Sequence, residues 1–357
     1  MYFIFNPLFW QPFLLALAIS FFLTPLTIFL AWHTVLIGID NPQKHHHPKV
    51  VHRYPVPRGG GIPIYFSILL VALVFLPLDK HFLGIFLGAT ATLVVGLLDD
   101  KFDLNPYFRL LTNVVVALCV VGAGIGIAFI TNPFNGIIRL DQPQINFVFW
   151  GGPHSVWILS CLFGLLWIIW NMNIIGWSCG VDGQLPGFVT IAAVIIGILG
   201  LRANQDITQW PVIILAAACA GAYLGFLPWN FYPQKIMPGY SGKSLAGFFL
   251  AVLAILSGAK VATMILVLGV PMADAVLTII RRVATGHSPV WGDRGHLHHK
   301  LLDLGFSKRR IAVFYWLFSV VLGVGALFLN SQQKFYAMVM VFVILVAFSV
   351  WFRRVFS

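Results

Sequence analysis

Long apolar runs separated by short polar stretches recur along the whole chain of 357 residues. A helix needs about 20 mainly apolar residues to cross the hydrocarbon core of a bilayer. Eleven runs approach or reach that length: 12–32, 60–78, 82–98, 109–130, 154–175, 187–201, 211–228, 244–257, 260–281, 311–330 and 335–352. The pattern therefore predicts an all-α polytopic integral membrane protein with about eleven transmembrane helices, or ten.

Composition agrees with this class. Hydrophobic residues make up 59% of the chain and charged residues 9%, against about 25% charged residues in soluble proteins. No polar stretch is long enough for a separate soluble domain, so residues 1–357 are interpreted as one transmembrane domain. Three of the four cysteines fall inside predicted spans, so no disulfide framework is expected. The outer loop 131–153 is expected to form a short hairpin.

Lysine and arginine are distributed unevenly between the two sides. With the N-terminus outside, 17 of the 22 basic residues fall on the inner side, as the positive-inside rule requires. The C-terminus is then cytoplasmic, and the predicted cytoplasmic loops are about 33–59, 99–108, 176–186, 229–243 and 282–310. The net charge of +11 is explained by loops that face anionic lipid headgroups and an anionic substrate, without a nucleic acid.

Two adjacent acids, Asp99 and Asp100, end an apolar run in a chain with 11 Asp and no Glu. Paired carboxylates at a membrane boundary repel each other and lose solvation, so they need a divalent metal or a Lys or Arg beside them. Asp103 follows four residues after Asp99, and Arg109 opens the next span. The pattern indicates either a functional site or a structural salt-bridge cluster.

Four further segments carry candidate chemistry. Arg58 before three glycines indicates an anion site or only a turn, and Asp182 between glycines indicates hydrogen bonding to a base or sugar, or an Asx-turn. The run Asp293-Arg-Gly-His296-Leu-His298-His299-Lys300 indicates a phosphate site rather than a zinc site, since no Cys or Glu completes a tetrahedral set. Asp274, inside a predicted span, needs a partner, either as an ion pair or as a ligand.

Taken in this order, the segments resemble the polyprenyl-phosphate N-acetylhexosamine-1-phosphate transferase family, the MraY/WecA-like membrane enzymes of glycosyltransferase family 4. The resemblance covers essentially the whole chain. It rests on six motifs: His52-Arg-Tyr-Pro-Val-Pro-Arg-Gly-Gly, Leu98-Asp-Asp, Gly180-Val-Asp-Gly, Leu227-Pro-Trp-Asn230, Pro271-Met-Ala-Asp274 and Asp293-Arg-Gly-His-Leu-His-His-Lys-Leu-Leu.

The resemblance implies that a polyprenyl phosphate attacks the sugar-linked phosphorus of a UDP-N-acetylhexosamine and releases UMP, which initiates a cell-envelope glycan. It implies Mg²⁺, or Mn²⁺, as cofactor, a bacterial plasma membrane location with the active face in the cytoplasm, and a homodimer. Asp99 and Asp100 would activate the lipid phosphate and hold the metal. The implied substrate-binding residues are Arg58, Arg109, Asn173, Asp182, Asn230, Lys243, His296, His298 and His299. The histidine motif is closer to the branch that uses simple UDP-sugars than to the muramoyl-peptide branch.

The chain departs from the family pattern at positions where acids are expected. Gly176 and Cys179 replace an Asn and an Asp, and Tyr240 replaces an Asp that is expected to ligate the metal. A neutral thiol and a phenol are poor ligands for Mg²⁺, which prefers carboxylate oxygens, whereas Lys243 in the same loop offers a cation to the diphosphate. Three interpretations stay open: a divergent enzyme, a relative that binds lipid phosphate or nucleotide without turnover, and a lipid-linked sugar transporter.

Overall fold

The structure is a computed structural model that describes residues 6–34, 37–40, 52, 54–149, 152–203, 206–258, 260–288 and 294–356. Most of the predicted loop 33–59, including the run of histidines 45–47, lies outside the described residues, as does Asp293. The described part of the chain is predominantly helical, which confirms the predicted class of a polytopic helical membrane protein.

The helices follow one another with short connections. They are α1 (Pro7–His33), α2 (Gly61–Phe75), α3 (Lys80–Phe102), α4 (Pro106–Gly122), α5 (Ile158–Trp177), α6 (Gln184–Arg202), α7 (Trp210–Asn230), α8 (Gly239–Leu256), α9 (Val261–Val267), α10 (Gly269–Ala284), α11 (Leu297–Asp303), α12 (Lys308–Ala326) and α13 (Ser331–Phe356). Every span predicted from hydropathy overlaps one of these helices. A 3₁₀ turn at Ile207–Gln209 precedes α7.

Within the described residues, eight helices are long and apolar enough to cross a membrane, or nine if α9 and α10 form one span. The predicted span 260–281 was wrong as a continuous helix, because α9 and α10 are bent by 84° at Leu268. Pro271 lies in the first turn of α10, where a residue without an N–H group is tolerated. The span 109–130 was also too long, since α4 ends at Gly122.

Three short antiparallel pairs complete the fold. Strands β1 (Ile39–Asp40) and β2 (Val56–Pro57) pair near the start of α2. Strands β3 (Phe129–Thr131) and β4 (Ile137–Arg139) form one hairpin, and β5 (Gln144–Phe149) and β6 (Gly152–Trp157) form a second. The hairpin expected in the loop 131–153 is therefore confirmed, with one more hairpin than expected.

Helices α7 and α8 form the centre of the bundle. Most of their residues are buried, and small side chains let the neighbouring backbones approach closely. A Cβ added at Gly221 or Gly225 of α7 would collide with backbone atoms of α1, and one added at Gly247 of α8 would collide with the backbone of α5. This packing fixes the N-terminus of α8 against the C-terminal end of α3, where the paired aspartates lie.

Candidate active site

Asp100 binds the first turn of α8. Its Oδ1 accepts a hydrogen bond from the Tyr240 backbone N–H at 2.5 Å, and its Oδ2 accepts from the Ser241 N–H at 3.2 Å and the Ser241 Oγ at 2.8 Å. A carboxylate at this position compensates the unpaired N–H groups and the positive end of the helix dipole. Gly239, with φ +66°, passes so close to Asp100 that a Cβ there would collide with the carboxylate. Asp100 is therefore a cap supplied by a different helix.

Asp99 faces a cation on the next helix. Arg109 Nε lies 2.5 Å from Asp99 Oδ1, and Arg109 Nη2 lies 2.8 Å from Asp103 Oδ1. Asp99 Oδ1 also accepts from the Leu104 N–H at 3.1 Å. The structure thus brings the predicted acids and Arg109 together. Within the described residues, no hydrogen bond reaches Asp99 Oδ2, and this oxygen is the one available for a ligand or a proton.

Tyr240 and Lys243 lie beside this pair on the first turn of α8. The guanidinium of Arg109 is 5.2 Å from the centre of the Tyr240 ring, and the ammonium of Lys243 is 5.3 Å from it. The charge of Lys243 also interacts with that of Asp99. We call Asp99, Asp100, Arg109, Tyr240 and Lys243 the carboxylate cluster.

Gly176 and Cys179, at the end of α5 and in the loop after it, border Lys243. A Cβ added at Gly176 would touch the methylene groups of Lys243. Burial raises the pKa of the Cys179 thiol, which the charge of Lys243 opposes only in part. The thiol donates to the Gly176 carbonyl oxygen at 3.0 Å. Cys179 is therefore a neutral side chain in this structure.

Arg58 and the glycines after it contact other parts of the protein. Arg58 Nη2 donates to Asp40 Oδ2 at 2.8 Å, and the Gly60 N–H donates to the Met237 carbonyl oxygen at 3.1 Å. A Cβ added at Gly61 would collide with Ser241. The glycine run lets this segment pack against the start of α8, and the Gly60 N–H is directed into the protein. The charge of Arg58 reaches Asp100, and the binding of substrate by Arg58 stays a prediction.

Asp182 is fully buried in a second group of contacts. Its Oδ1 accepts from Lys308 Nζ at 3.1 Å, and its Oδ2 accepts from the Gln234 N–H at 3.3 Å. Asn230 fixes the same loop, since its Oδ1 accepts from the Gly183 N–H at 3.1 Å while its Nδ2 donates to Gln234 and Ile236. Both polar groups of the Asn230 side chain therefore make hydrogen bonds within the protein, and its contact with substrate stays a prediction.

Asn173 lies on the last turns of α5, half-buried. Its Nδ2 donates to the Ile169 carbonyl oxygen one turn earlier at 2.8 Å. Within the described residues its Oδ1 makes no hydrogen bond, so this oxygen is the group that a ligand would meet.

The three histidines of the last motif have different surroundings. His296 Nδ1 is 2.9 Å from Asp274 Oδ2, and Asp274 Oδ1 accepts from the Leu297 N–H at 2.8 Å, which answers the question of the partner of Asp274. His298 packs on the backbone of Gly180, where any Cβ would collide with its ring. His298 and His299 are buried, and the Nδ1 atom of each has no hydrogen-bond partner in the described structure. We call His296, His298, His299 and Asp274 the histidine cluster.

Burial also sets the charge of the histidine cluster. It lowers the pKa of His298 well below its usual value and, together with the positive charge of Arg294, lowers the pKa of His299 to about 4. Both imidazoles are therefore neutral near pH 7. Each can still present a ring N–H to an anion.

Two residues at the site were not predicted from the sequence. Lys308 pairs with Asp182 from the start of α12, and Ser241 holds Asp100. Lys308 begins a run of three basic residues, which in the sequence count only among the positive charges of the inner side. Ser307 caps α12 immediately before it, and this capping residue is the sequence signal that fixes the position of Lys308.

The fold and these clusters define a class: a polytopic helical membrane protein in which buried acids and cations from several helices meet at one end of the bundle. Residues 82–258 match glycosyl transferase family 4, and the chain belongs to that family.

Relatives along most of the chain carry related names. A "Probable undecaprenyl-phosphate N-acetylglucosaminyl 1-phosphate transferase" of Bacillus subtilis is 26% identical over 94% of this chain and 88% of the relative. The "Decaprenyl-phosphate N-acetylglucosaminephosphotransferase" of Mycobacterium leprae is 28% identical over 79% of this chain and 76% of the relative. The "Phospho-N-acetylmuramoyl-pentapeptide-transferase" of Bacillus pumilus is 27% identical over 82% and 87%. These names agree with the family that the motifs indicated.

Proposed function

We propose that the protein transfers N-acetylhexosamine 1-phosphate from a UDP-sugar to a polyprenyl phosphate, at the cytoplasmic face of a bacterial plasma membrane. The observation that carries this proposal is the carboxylate cluster, in which Asp99 keeps one oxygen available between two fixed cations. Relatives over most of the chain are named for this reaction. The sugar is proposed to be N-acetylglucosamine, since two relatives of that name match 94% and 89% of this chain, whereas the Bacillus pumilus relative of the muramoyl branch matches 82%.

In the proposed step, an oxygen of the lipid phosphate forms a bond with the sugar-linked phosphorus of the UDP-sugar. The bond from that phosphorus to the bridging oxygen breaks, and the electron pair leaves with UMP. A dianionic lipid phosphate needs no proton transfer, whereas a monoanionic one gives its proton to Asp99 Oδ2. Such transfers depend mainly on positioning and on neutralising charge, which Arg109 and Lys243 are placed to do.

Asp99 and Asp100 then have different roles. Asp99 faces the lipid phosphate as base or orienting group. Asp100 is a positioning residue, because its oxygens hold the first turn of α8 and so fix Tyr240 and Lys243. Asp182, held by Lys308, and the Asn173 Oδ1 are proposed to face the uridine or ribose. His298 and His299 are proposed to donate N–H groups to phosphate oxygens.

A resident divalent metal fits these residues poorly. Mg²⁺ or Mn²⁺ needs several hard oxygen ligands, but Asp100 is committed to α8 and Asp99 offers one uncommitted oxygen. Cys179 is a neutral thiol, and among the described residues no group of three or more His, Cys, Asp or Glu side chains could hold a metal ion. The residues of the carboxylate cluster therefore do not provide the oxygen ligands of a magnesium site.

The test is turnover by the full-length protein in detergent, with undecaprenyl phosphate and UDP-N-acetylglucosamine. We expect UMP and a lipid diphosphate sugar in equal amounts, measured by chromatography and mass spectrometry. UDP-N-acetylgalactosamine and the muramoyl-pentapeptide nucleotide serve as alternative donors. Release of no UMP from any donor would overturn the proposal, and movement of a lipid-linked sugar across vesicles without UMP would favour a transporter. Light scattering of the same sample tests the predicted homodimer.

A further inference from the structure

Lys243 lies in an unusual position for an ammonium group. It is half-buried on the first turn of α8, and within the described residues neither a hydrogen bond nor an ion pair reaches its Nζ. The positive end of the helix dipole repels it, and Arg109 lies on the same Tyr240 ring. The carboxylate of Asp99 pairs with Arg109 and also interacts with the charge of Lys243. One negative charge is therefore shared by two partly buried cations, and a further anion beside them would be stabilised.

The positions where the chain departs from the family pattern all border the side chain of Lys243. Gly176 leaves the space beside the lysine methylenes, the Cys179 thiol faces its charge, and Tyr240 carries it on the ring. Gly176 and Cys179 lie more than 60 positions before Tyr240 in the sequence, yet all three border the side chain of Lys243. Compared with the family pattern, each of these three residues replaces a side chain with an oxygen that could ligate a metal ion. The side chain that they border, Lys243, is itself a cation.

Two buried polar side chains hold the Tyr240 side chain in place. Asn113 and Ser244 are 2% and 0% exposed, respectively, and both interact with the Tyr240 hydroxyl. The Tyr240 ring, against which the Arg109 guanidinium and the Lys243 ammonium lie, is therefore a fixed surface.

We propose that Lys243, with Arg109, takes the place of the divalent cation at the diphosphate of the nucleotide sugar, so that this site binds its substrate without metal. The proposal rests on the proposed function for the identity of the diphosphate. The lysine ammonium is a compact charge with three donors, which suits two phosphate oxygens at once. Its charge would neutralise the leaving UMP oxygen as the bond to phosphorus breaks.

The experiment is isothermal titration of the full-length protein in detergent with UDP, in EDTA and in excess Mg²⁺. We expect dissociation constants that agree within about twofold, because the cation is part of the chain. Lys243→Gln should weaken UDP binding by about 10- to 100-fold in EDTA, as expected for loss of one charged hydrogen-bond partner. Lys243→Arg should retain most of the affinity. Lys235→Gln, a change at an exposed lysine outside the site, is the matched control and should bind as the wild type does.

A double variant tests the exchange directly. Tyr240→Asp with Lys243→Ser restores a carboxylate and removes the ammonium, and UDP binding should then require Mg²⁺. UDP binding by the wild type that requires Mg²⁺ would overturn the inference even if UMP is released. Conversely, metal-independent UDP binding that is lost in Lys243→Gln, with no UMP released from any donor, would support the inference and overturn the transferase.

Discussion

The carboxylate cluster and the histidine cluster were both predicted to hold phosphate, yet they differ in how they carry charge. Arg109 and Lys243 are basic side chains held on α4 and α8, whereas His298 and His299 are kept neutral by burial. The first region can attract an anion at any physiological pH, and the second can offer only neutral N–H groups until it gains a proton. Within one site, the carboxylate cluster can therefore neutralise the charge of a phosphate, whereas the histidine cluster can only orient it through hydrogen bonds.

The largest effect is expected for Asp99→Asn, which removes the one uncommitted carboxylate oxygen of the carboxylate cluster. UMP release should fall by about 100- to 1,000-fold, within the range for loss of a general base. The protein should remain folded, because Asn can still accept from the Leu104 N–H. Steady-state UMP assays with saturating donor and lipid measure this effect.

Asp103→Asn is the control for Asp99→Asn, since Asp103 contacts the same arginine but its side chain is 85% exposed. It should change activity less than about threefold, as exposed ion pairs contribute little. Equal losses of UMP release in the two variants would contradict the role of Asp99 as a base or orienting group. Both acids would then act only by forming ion pairs with Arg109.

Asp100→Asn should act mainly on stability. The substitution weakens three hydrogen bonds to the first turn of α8 and removes the charge opposite the helix dipole. We expect the free energy of unfolding to fall by about 1–3 kcal/mol, with a lower melting temperature in detergent. Activity should fall along with it, because Tyr240 and Lys243 depend on that turn. A variant with unchanged melting temperature and no activity would instead make Asp100 a reacting group.

Hydropathy predicted the fold well because a bilayer requires long apolar helices, and each predicted span meets a helix. It could not predict the 84° bend at Leu268, since the apolar run continues through it. The contact of Asp99 with Arg109 was predictable because the two residues are ten positions apart across one tight turn. The pair Asp182–Lys308 spans 126 positions and depends on how α12 packs on α6, which no local pattern specifies.

Gly180→Ala tests the histidine cluster by sterics alone. A Cβ at this position would collide with the His298 ring, so the ring must move away from the loop that carries Cys179 and Asp182. We expect an increase in KM for the nucleotide sugar of about 10-fold and a smaller change in kcat, since Lys243 and Asp99 stay in place. The matched control is Gly122→Ala, because a Cβ at that position meets open space. Gly286→Ala does not serve as a control, because the positive φ of Gly286 would strain an alanine. A decrease in kcat with an unchanged KM would contradict this role in substrate binding and would indicate that the histidines act in the transfer step.

The smallest effect expected is a pH dependence of stability from His299. Its pKa is lowered to about 4 in the folded protein, whereas an unfolded histidine has a pKa of about 6.5. Between these values the unfolded state binds more protons, so stability is complete above pH 6.5 and is lost as the pH falls towards 4. From pH 7 to pH 5.5 the loss should be about 1 kcal/mol. The melting temperature of wild type should therefore fall more over this interval than that of His299→Gln, whereas the exposed-site variant His81→Gln should follow wild type. Identical curves for wild type and His299→Gln would mean that His299 is not held neutral, and the contrast between the two clusters would then disappear.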